Sequence, residues 1–332
     1  MTRNVIIIQL LVAVVAFGSG YLYRKSEFVQ TQRVIAANSP LRESGKYDLI
    51  SPLLACGDTE ATRFGVYQAL KSEIESLVKK EVSSGKATDV SVYFRTPTGA
   101  WVGVNENARY APASLLKIPL MTAYFKLSEN EPGILSKQLS YDGSFDDNKS
   151  EVFKSDNLIH SGSYTVYNLI RAMIINSDNN ATALLKKNID PATLSEVYYD
   201  LGLPIATKEA PQSQSISAKE YSYFFRVLYN ATYLNAADSE KALAILARPS
   251  FPLGLRGSVP AGVTVAEKFG ERTLLNPDGT VINRELHDCG YLYTPDQTYL
   301  LCVMTRGKDL KDLSDVIQSV GRVVYNQITS SN

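Results

Sequence analysis

The chain has 332 residues, of which 45% are hydrophobic and 20% are charged, a composition that excludes a largely disordered protein. Lys plus Arg and Asp plus Glu both number 34, so the formal net charge is zero, which argues against a nucleic-acid-binding protein. The chain has two histidines and three cysteines, and no pair of them has the spacing of zinc ligands. We therefore expect no metal site and no cofactor.

The amino-terminal residues predict attachment to a membrane. Residues 5–23 form an apolar run whose only strongly polar member is Gln9. A helix of this length is about as long as the hydrocarbon core of a bilayer is thick. Two interpretations stay open, a retained signal anchor over residues 1–25 or a signal peptide that is cleaved. We favour the anchor, because the apolar run continues past the small residues that would form a cleavage site.

The composition changes after this run. Residues 26–47 are polar and predict a tether beside the membrane. No later segment is long and apolar enough to predict a second span. The folded domain is therefore expected to occupy residues 48–330 and to lie outside the cytoplasmic membrane, at the cell surface or in the periplasm.

Periodicity and turn signals predict the elements of this domain. In chain order they are an amphipathic helix (62–82), a β-hairpin (90–94 and 100–104), a buried helix (112–125), a helix (164–175), a helix over 180–185, a helix start at Asp190-Pro191, a helix with a capping box (217–233), three strands (264–269, 289–293 and 299–305) and a closing amphipathic helix (310–324). Strands at both ends of the domain predict one antiparallel sheet with the helical block packed beside it, an α+β fold.

The cysteines leave two interpretations open. Cys289 and Cys302 are placed to face each other across the last predicted hairpin. Three cysteines cannot all pair, however, and we favour small, buried, unpaired side chains.

Lys117 is the residue whose position most strongly indicates chemistry. It lies in the most apolar predicted helix of the domain, three residues after Ser114. An ammonium buried without a partner is costly, so its pKa falls and the amine becomes a usable general base. Because residues i and i+3 share a helix face, Lys117 is predicted to reach the Ser114 hydroxyl. The free N–H groups at the helix start would favour negative charge that develops there.

Ser-x-x-Lys alone is a weak signal, because the chain contains three copies of it. Ser76 and Lys79 lie on an amphipathic helix, and Ser83 and Lys86 lie in a polar loop, so their lysines are expected to be solvated. Only the copy that begins at Ser114 lies in apolar sequence, and it is our candidate site.

Two further short motifs follow along the chain. Ser177-Asp178-Asn179 lies between two predicted helices, whereas a second copy, residues 155–157, lies in a polar loop. Taken alone, such a turn is more often a helix cap than part of a site. Lys268-Phe269-Gly270 lies on an apolar strand, where a lysine followed by glycine lets a substrate lie against the backbone. Taken alone, it is more often an edge-strand lysine.

The three motifs, in this order, resemble the signature of the serine β-lactamases and penicillin-binding proteins, which is Ser-x-x-Lys, Ser-Asp-Asn and Lys-Thr-Gly. The sequence is most similar to the catalytic domain of class A β-lactamases, over about residues 48–330. The resemblance implies a β-lactamase-like α/β (α+β) fold. In this fold helices flank a five-stranded antiparallel sheet, and an all-helical subdomain, about residues 114–250, lies beside it.

The resemblance also implies an acyl-enzyme mechanism. Ser114 would attack the carbonyl carbon of a small-molecule or cell-wall peptide substrate, and Lys117 would accept its proton. Ser177 would relay a proton to the leaving nitrogen, and Lys268 would supply positive charge.

Residues next to these catalytic residues would bind the substrate. Asn179 would hydrogen-bond a substrate amide, and Gly270 would let the substrate lie against the strand. The oxyanion hole would consist of the backbone N–H groups of Ser114 and Glu271.

Two departures from the family pattern bear on the substrate. Phe269 stands where the family has a hydroxyl residue that helps to bind the substrate carboxylate, and Arg272 is the candidate for a replacement cation. The glutamate that deacylates class A β-lactamases is followed closely by Leu-Asn, which is missing from residues 204–217. Glu209 is the candidate base there. Without such a base we expect slow turnover, or transferase, peptidase-like or esterase activity.

Two other hypotheses stay open. Phe269 and the shortened loop favour a non-catalytic ligand-binding or cell-wall-associated module that has kept the fold. A histidine-based esterase would use His160 or His287, although the expected role of His287 is that of a buried structural histidine.

Overall fold

The computed structural model describes residues 18–19, 40–43, 45–55, 67–149, 151–203 and 215–330. Most of the predicted anchor and the whole of Glu209 lie outside these residues. No helix within the described ranges is both long enough and apolar enough to cross a bilayer.

The strands of the described residues are, in chain order, β1 (Leu41–Arg42), β2 (Leu53–Ala55), β3 (Asp89–Arg95), β4 (Trp101–Val104), β5 (Gln138–Tyr141), β6 (Gly162–Thr165), β7 (Thr264–Leu275), β8 (Val281–Tyr293) and β9 (Thr298–Gly307). The α-helices from residue 67 onward are α1 (Gln68–Ser83), α2 (Lys117–Asn130), α3 (Val166–Ile175), α4 (Asn179–Lys187), α5 (Pro191–Asp200), α6 (Ala218–Tyr229), α7 (Ala236–Leu246) and α8 (Leu310–Thr329). Short 3₁₀ turns occupy Ala113–Leu116, Ile134–Ser136 and Leu255–Ser258.

The central sheet has the strand order β4-β3-β9-β8-β7, and all neighbouring strands are antiparallel. Because successive side chains of a strand point to opposite faces, β9 contributes to both halves of the core. Leu301 and Val303 pack in one half with α1 and α8, whereas Leu300 and Cys302 pack in the other half with the helical block. A five-stranded antiparallel sheet with helices on both faces confirms the predicted fold class.

The closing helix α8 shows how the sequence pattern becomes packing. Leu313, Ile317, Val320 and Val324 are fully buried in the half of the core that α8 shares with α1. They recur along one face of the helix, as the amphipathic periodicity predicts. Burying each such side chain stabilises the fold by about 1.5–3 kcal/mol, so α8 fastens the carboxyl end of the domain to the sheet.

Several elements differ from the sequence prediction. The β7–β8 ladder continues well beyond the predicted residues 264–269 and 289–293. The extension was not predicted, because its exposed residues show no alternating apolar pattern. Helix α6 ends at Tyr229 rather than near residue 233, because Ala231 adopts a left-handed φ of +48° that stops the helix. The β5–β6 pair and helix α7 are additional to the predicted elements.

The carboxyl end of the segment predicted as a tether, residues 26–47, is part of the folded domain. Leu41 and Arg42 form a short strand that pairs with β2. The Arg42 guanidinium donates to Ser51 O at 2.7 Å, to Asn230 Oδ1 at 2.8 Å and to Pro97 O at 2.9 Å. Partners this distant along the chain leave no local pattern in the sequence. The folded domain therefore begins before residue 48.

The favoured interpretation of unpaired cysteines is wrong for two of the three. Cys289 of β8 and Cys302 of β9 are directly opposite in the ladder, and they form a disulfide. The bond joins two fully buried residues in the middle of the sheet.

We predict that replacing both Cys289 and Cys302 by serine lowers the free energy of unfolding by about 3 kcal/mol, because a crosslink across a loop of this size restricts the unfolded chain. Urea denaturation of both proteins measures the difference. Peptide mapping without reductant should recover the Cys289–Cys302 pair. Recovery of both thiols free in the freshly isolated protein would contradict the assignment.

Candidate active site

Two buried lysines meet on one hydroxyl at the centre of the candidate site. Lys117, the first residue of α2, donates from Nζ to Ser177 Oγ at 3.0 Å, and Lys268 of β7 donates to the same oxygen at 3.1 Å. Lys117 also donates to the Ser177 carbonyl oxygen at 2.6 Å and to Asn179 Oδ1 at 2.7 Å. The two lysines are only 3% and 1% exposed. The structure thus brings together residues from all three sequence motifs.

The environment of these lysines changes their proton affinities. Burial, together with the positive charge of Lys268, lowers the pKa of Lys117 well below its usual value, although Glu151 and Asp178 oppose the shift. Burial lowers the pKa of Lys268 to about 8, opposed by carboxyl groups of which Asp288 has the largest effect. Burial and the positive charge of Lys268 thus act together to favour release of a proton from Lys117.

Ser114 lies in the 3₁₀ turn that precedes α2 rather than in the α-helix itself. Ala113 adopts a left-handed φ of +48°, which costs a non-glycine residue on the order of 1 kcal/mol. Pro119 leaves the carbonyl of Leu115 without its usual helical donor, because proline has no N–H. That carbonyl instead accepts from the buried Tyr221 hydroxyl at 3.0 Å, so a side chain of α6 fixes the turn.

The predicted hydrogen bond between Lys117 and Ser114 is not formed. The three N–H donors of the Lys117 ammonium are directed at oxygens of Ser177 and Asn179. Three oxygen acceptors compensate a buried ammonium better than one half-exposed hydroxyl does. Ser114 still lies one turn before Lys117, and catalytic hydrogen bonds are often long or absent until substrate is bound.

The turn that carries Ser177 is held by its neighbours. Ser177 has a left-handed φ of +52°, and Asp178 caps α4 by accepting from Ala181 N at 3.0 Å. The fully buried Asp178 carboxylate also accepts from Ile159 N at 2.6 Å and from Asn148 Nδ2 at 3.2 Å. The Ser-Asp-Asn turn is therefore a helix cap and part of the candidate site at the same time.

Gly270 allows the edge strand β7 to approach the turn that carries Ser114. A Cβ atom on Gly270 would lie only 3.1 Å from Leu115 Cγ and from Pro112 O. The N–H of Ser114 makes no backbone hydrogen bond among the described residues. This donor and the β7 edge, where Glu271 follows Gly270, thus border the same space.

Phe269 belongs to a cluster of aromatic rings beside the site. Its ring stacks on that of Phe251 at a centroid distance of 4.0 Å, and Phe251 contacts Phe153 edge-to-face at 5.1 Å. Lys268 Nζ lies 4.1 Å from the centroid of the Phe269 ring, in a cation–π contact. The phenylalanine is therefore part of the packing, and it offers no hydrogen-bond donor to a substrate.

A segment that sequence analysis did not single out completes the site. Residues 146–149 and 151–153, here called the site loop, contact both the Ser-Asp-Asn turn and β7. Glu151 Oε1 accepts from Asn179 Nδ2 at 2.6 Å, and Glu271 Oε1 accepts from Val152 N at 3.0 Å and from Phe153 N at 2.9 Å. The loop is polar and lacks periodicity, so no signal in the sequence distinguishes Glu151 from the other acidic residues around it.

Two further carboxyl groups that the sequence analysis did not predict lie behind Lys268. Glu267 and Asp288 are fully buried. Burial raises the pKa of Asp288 to about 6, and burial together with the charge of Asp288 raises the pKa of Glu267 well above its usual value. The negative charge that this pair carries at neutral pH helps to keep Lys268 protonated.

The other candidate residues lie apart from this cluster. Arg272 is exposed on β7, and Glu209 lies outside the described residues. His160 is exposed. His287 is fully buried with Nε2 3.1 Å from Ala111 O, and burial lowers its pKa to about 4, as expected of a structural histidine.

The unused copies of the motifs are solvated, as expected. Lys79 is exposed, and Lys86 is half-buried in an ion pair with Glu81 at 3.6 Å. Ser155 donates to Asn176 Oδ1 at 3.0 Å, at the edge of the turn rather than in the site.

Known proteins share this fold. A sequence profile of the beta-lactamase enzyme family matches residues 69–328. The beta-lactamase of Sphaerobacter thermophilus superposes with a TM-score of 0.65 at 21% identity, covering 79% of this chain and 98% of that chain. A class A beta-lactamase of Bacteroides cellulosilyticus gives 0.65 at 20% identity, covering 79% and 99%. PBP-A gives 0.63 at 20% identity, covering 79% and 97%.

The profile spans most of the chain, and the order of the motifs, the sheet topology and the solved structures agree with it. The chain belongs to the beta-lactamase enzyme family.

Proposed function

We propose that this protein is a serine hydrolase that forms an acyl-enzyme through Ser114 on an amide or ester carbonyl, of a β-lactam or of a peptidoglycan-like substrate. The observation that carries the proposal is the burial of Lys117 against Ser177 and Asn179, one turn after Ser114. A buried amine with a lowered pKa is a base suited to activating a hydroxyl at neutral pH.

The proposed acylation runs through the residues of this cluster. Ser114 Oγ attacks the carbonyl carbon while the Ser114 proton passes to Lys117. To accept this proton, Lys117 Nζ must first give up one of the hydrogen bonds that it makes to Ser177 and Asn179. The tetrahedral intermediate collapses as the bond to the leaving nitrogen or oxygen breaks. Ser177, whose oxygen accepts from both lysines, donates its own O–H proton to that leaving atom and takes a proton back from the Lys117 ammonium, which returns to the neutral amine.

The charge that develops on the carbonyl oxygen needs donors. We assign the N–H of Ser114 and the N–H of Glu271 to this role. The close approach of Gly270 to the turn supports the assignment, because it sets the β7 edge beside Ser114. Lys268 adds positive charge on the same side, and Asn179 is placed to hydrogen-bond a substrate amide.

We expect the acyl-enzyme to be released slowly. Glu209 is the candidate base for deacylation, but it lacks the Leu-Asn that follows such a glutamate in class A β-lactamases. A related fold supports a long-lived adduct, since a variant of PBP-A has been solved as an acyl-enzyme complex with penicillin G.

We also propose that the apolar run of residues 5–23 tethers the domain outside the cytoplasmic membrane. The Cys289–Cys302 disulfide supports this location, because such bonds persist in oxidising compartments. If Cys289 and Cys302 proved to be free thiols in the isolated protein, this support for the location would be lost.

The second candidate is a non-catalytic ligand-binding or cell-wall-associated module. Two observations favour it, the apolar Phe269 ring that packs beside the site and offers no hydrogen-bond donor, and the absence of a Lys117–Ser114 hydrogen bond. This alternative predicts saturable binding that survives Ser114→Ala, whereas the hydrolase requires that turnover be lost.

We predict that a chromogenic β-lactam or a fluorophosphonate adds one acyl or phosphonyl group to Ser114 at pH 7–8. Lys117→Met should slow the addition by about 10²- to 10⁴-fold, because general-base catalysis is lost. Intact-mass analysis over time measures both formation and release of the adduct.

Two matched variants control this experiment. Ser114→Ala should abolish the adduct, whereas Ser76→Ala, in an unused copy of the motif, should leave it unchanged. No adduct with either probe, or an adduct that persists in Ser114→Ala, would contradict the proposed function.

A separate prediction concerns Phe269. Phe269→Thr should raise the rate of acylation by a carboxylate-bearing β-lactam about tenfold over Phe269→Val, because the hydroxyl supplies a hydrogen bond to a charged group. The two variants have the same shape, so the loss of the aromatic ring cancels between them. An ester without a carboxylate should show no such difference. Equal rates of β-lactam acylation in both variants would show that this position does not decide carboxylate recognition.

A further inference from the structure

Two carboxyl groups that the proposed mechanism does not use lie against each other at the edge of the site. Glu271 Oε1 accepts from the Val152 and Phe153 N–H groups, and the Glu151 carboxyl group lies next to Glu271, near enough for a carboxyl–carboxyl hydrogen bond that raises the pKa of Glu271. A hydrogen bond between two carboxyl groups requires a proton on one of them. Glu151 and Glu271 can therefore hydrogen-bond to each other only when the two carboxyl groups together carry a single negative charge.

The pair is connected directly to the candidate base. Glu151 Oε1 accepts from Asn179 Nδ2 at 2.6 Å, and Asn179 Oδ1 accepts from Lys117 Nζ at 2.7 Å. Asn179 can hold both contacts only in one orientation of its amide, because it has one oxygen and one NH₂ group. Glu151 thus fixes the amide that positions Lys117, and Glu271 fixes the loop that carries Glu151.

The charges around the pair explain why it retains a proton. Burial and the neighbouring Glu151 raise the pKa of Glu271 to about 7, although the two backbone N–H groups oppose the shift. The charged groups that act on the two buried lysines from the packed elements are Asp178 and Lys186 of the helical block and Glu267 and Asp288 of the sheet, besides Glu151 and Glu271 themselves. Asp146, Asp147, Lys149 and Lys154 lie near Glu151 in the sequence, and Arg272 follows Glu271. Glu151 acts on both buried lysines, and Glu271 acts on Lys268.

We propose that Glu151 and Glu271 are positioning residues that share one proton, and that this proton both holds the site loop closed on Asn179 and keeps an additional negative charge away from Lys117 and Lys268. The proposal rests on the proposed function, for which Lys117 must act as a neutral base.

Loss of the shared proton has two consequences. Two adjacent carboxylates repel each other, so the loop separates from β7 and Asn179 loses its fixed orientation. The added negative charge also stabilises the ammonium forms of the lysines and so raises their pKa. The first effect removes a contact that positions Lys117, and the second leaves a smaller fraction of Lys117 as neutral amine. Acylation is therefore expected to gain less from rising pH above about 7.

Glu271→Gln tests the proposal sharply, because glutamine imitates the protonated acid. Its oxygen can accept the Val152 and Phe153 N–H groups, and its NH₂ group can donate to Glu151 at every pH. We expect the ratio of the acylation rate constants, Glu271→Gln over wild type, to rise about tenfold between pH 6 and pH 8.5, because wild type loses its proton in this interval. Glu151→Gln should remove the same pH dependence.

Glu240→Gln is the matched control. Glu240 also accepts from backbone N–H groups, those of Leu49 at 3.2 Å and Ile50 at 3.0 Å, but it is not part of the site. Its ratio to wild type should stay constant with pH. A constant ratio for Glu271→Gln as well would overturn the proposal.

A second measurement does not depend on activity. Hydrogen exchange of the Val152 and Phe153 amides, corrected for the intrinsic effect of pH, should lose protection in wild type between pH 6 and pH 8.5 but not in Glu271→Gln. If Ser114 proves inert while this difference appears, the proposed function fails and the proton-sharing pair stands. Protection that is independent of pH in wild type would overturn the pair itself.

Discussion

The site depends on one constraint, the burial of two ammonium groups around a single hydroxyl. Lys117 and Lys268 both donate to Ser177 Oγ, with no carboxylate in direct contact with either Nζ among the described residues. Their mutual repulsion and the loss of water favour release of one proton, and both lower the pKa of Lys117. The proposed chemistry follows from this imbalance, since a neutral amine beside a serine is a base.

The fold creates the constraint by joining two parts of the chain that are distant in sequence. Lys117 and Ser177 belong to the helical block, whereas Lys268 belongs to the edge strand β7. Gly270 lets that strand pack closely on the turn before α2, and Asp288 and Glu267 behind the strand hold Lys268 in its charged form. A change in the packing between sheet and helical block would therefore alter the proton affinity of Lys117, because it would move Lys268 relative to Ser177.

The fold class and Lys117 could be predicted from the sequence, because apolar periodicity and apolar surroundings are local properties. Ser177 and Lys268 became candidates only through the order of the three motifs and the family that this order resembles. The partners of Lys117 could not be predicted in the same way. Its bonds to Ser177 and Asn179 replace the expected bond to Ser114, since they depend on how α2 packs against a turn 60 residues later. Glu151 and Asp288 were missed for the same reason, because they pair across elements with no local pattern. The disulfide differs, since the predicted hairpin placed Cys289 opposite Cys302 but the composition favoured unpaired thiols.

The state of Lys117 Nζ tests this account most directly. NMR titration of protein labelled with ¹³C and ¹⁵N in lysine, with the signal assigned by its loss in Lys117→Met, reports whether the group is an amine or an ammonium. The account predicts that Lys117 loses its proton at a clearly lower pH than the surface lysines do. Titration of Lys117 near the ordinary lysine value of 10.5 would contradict it.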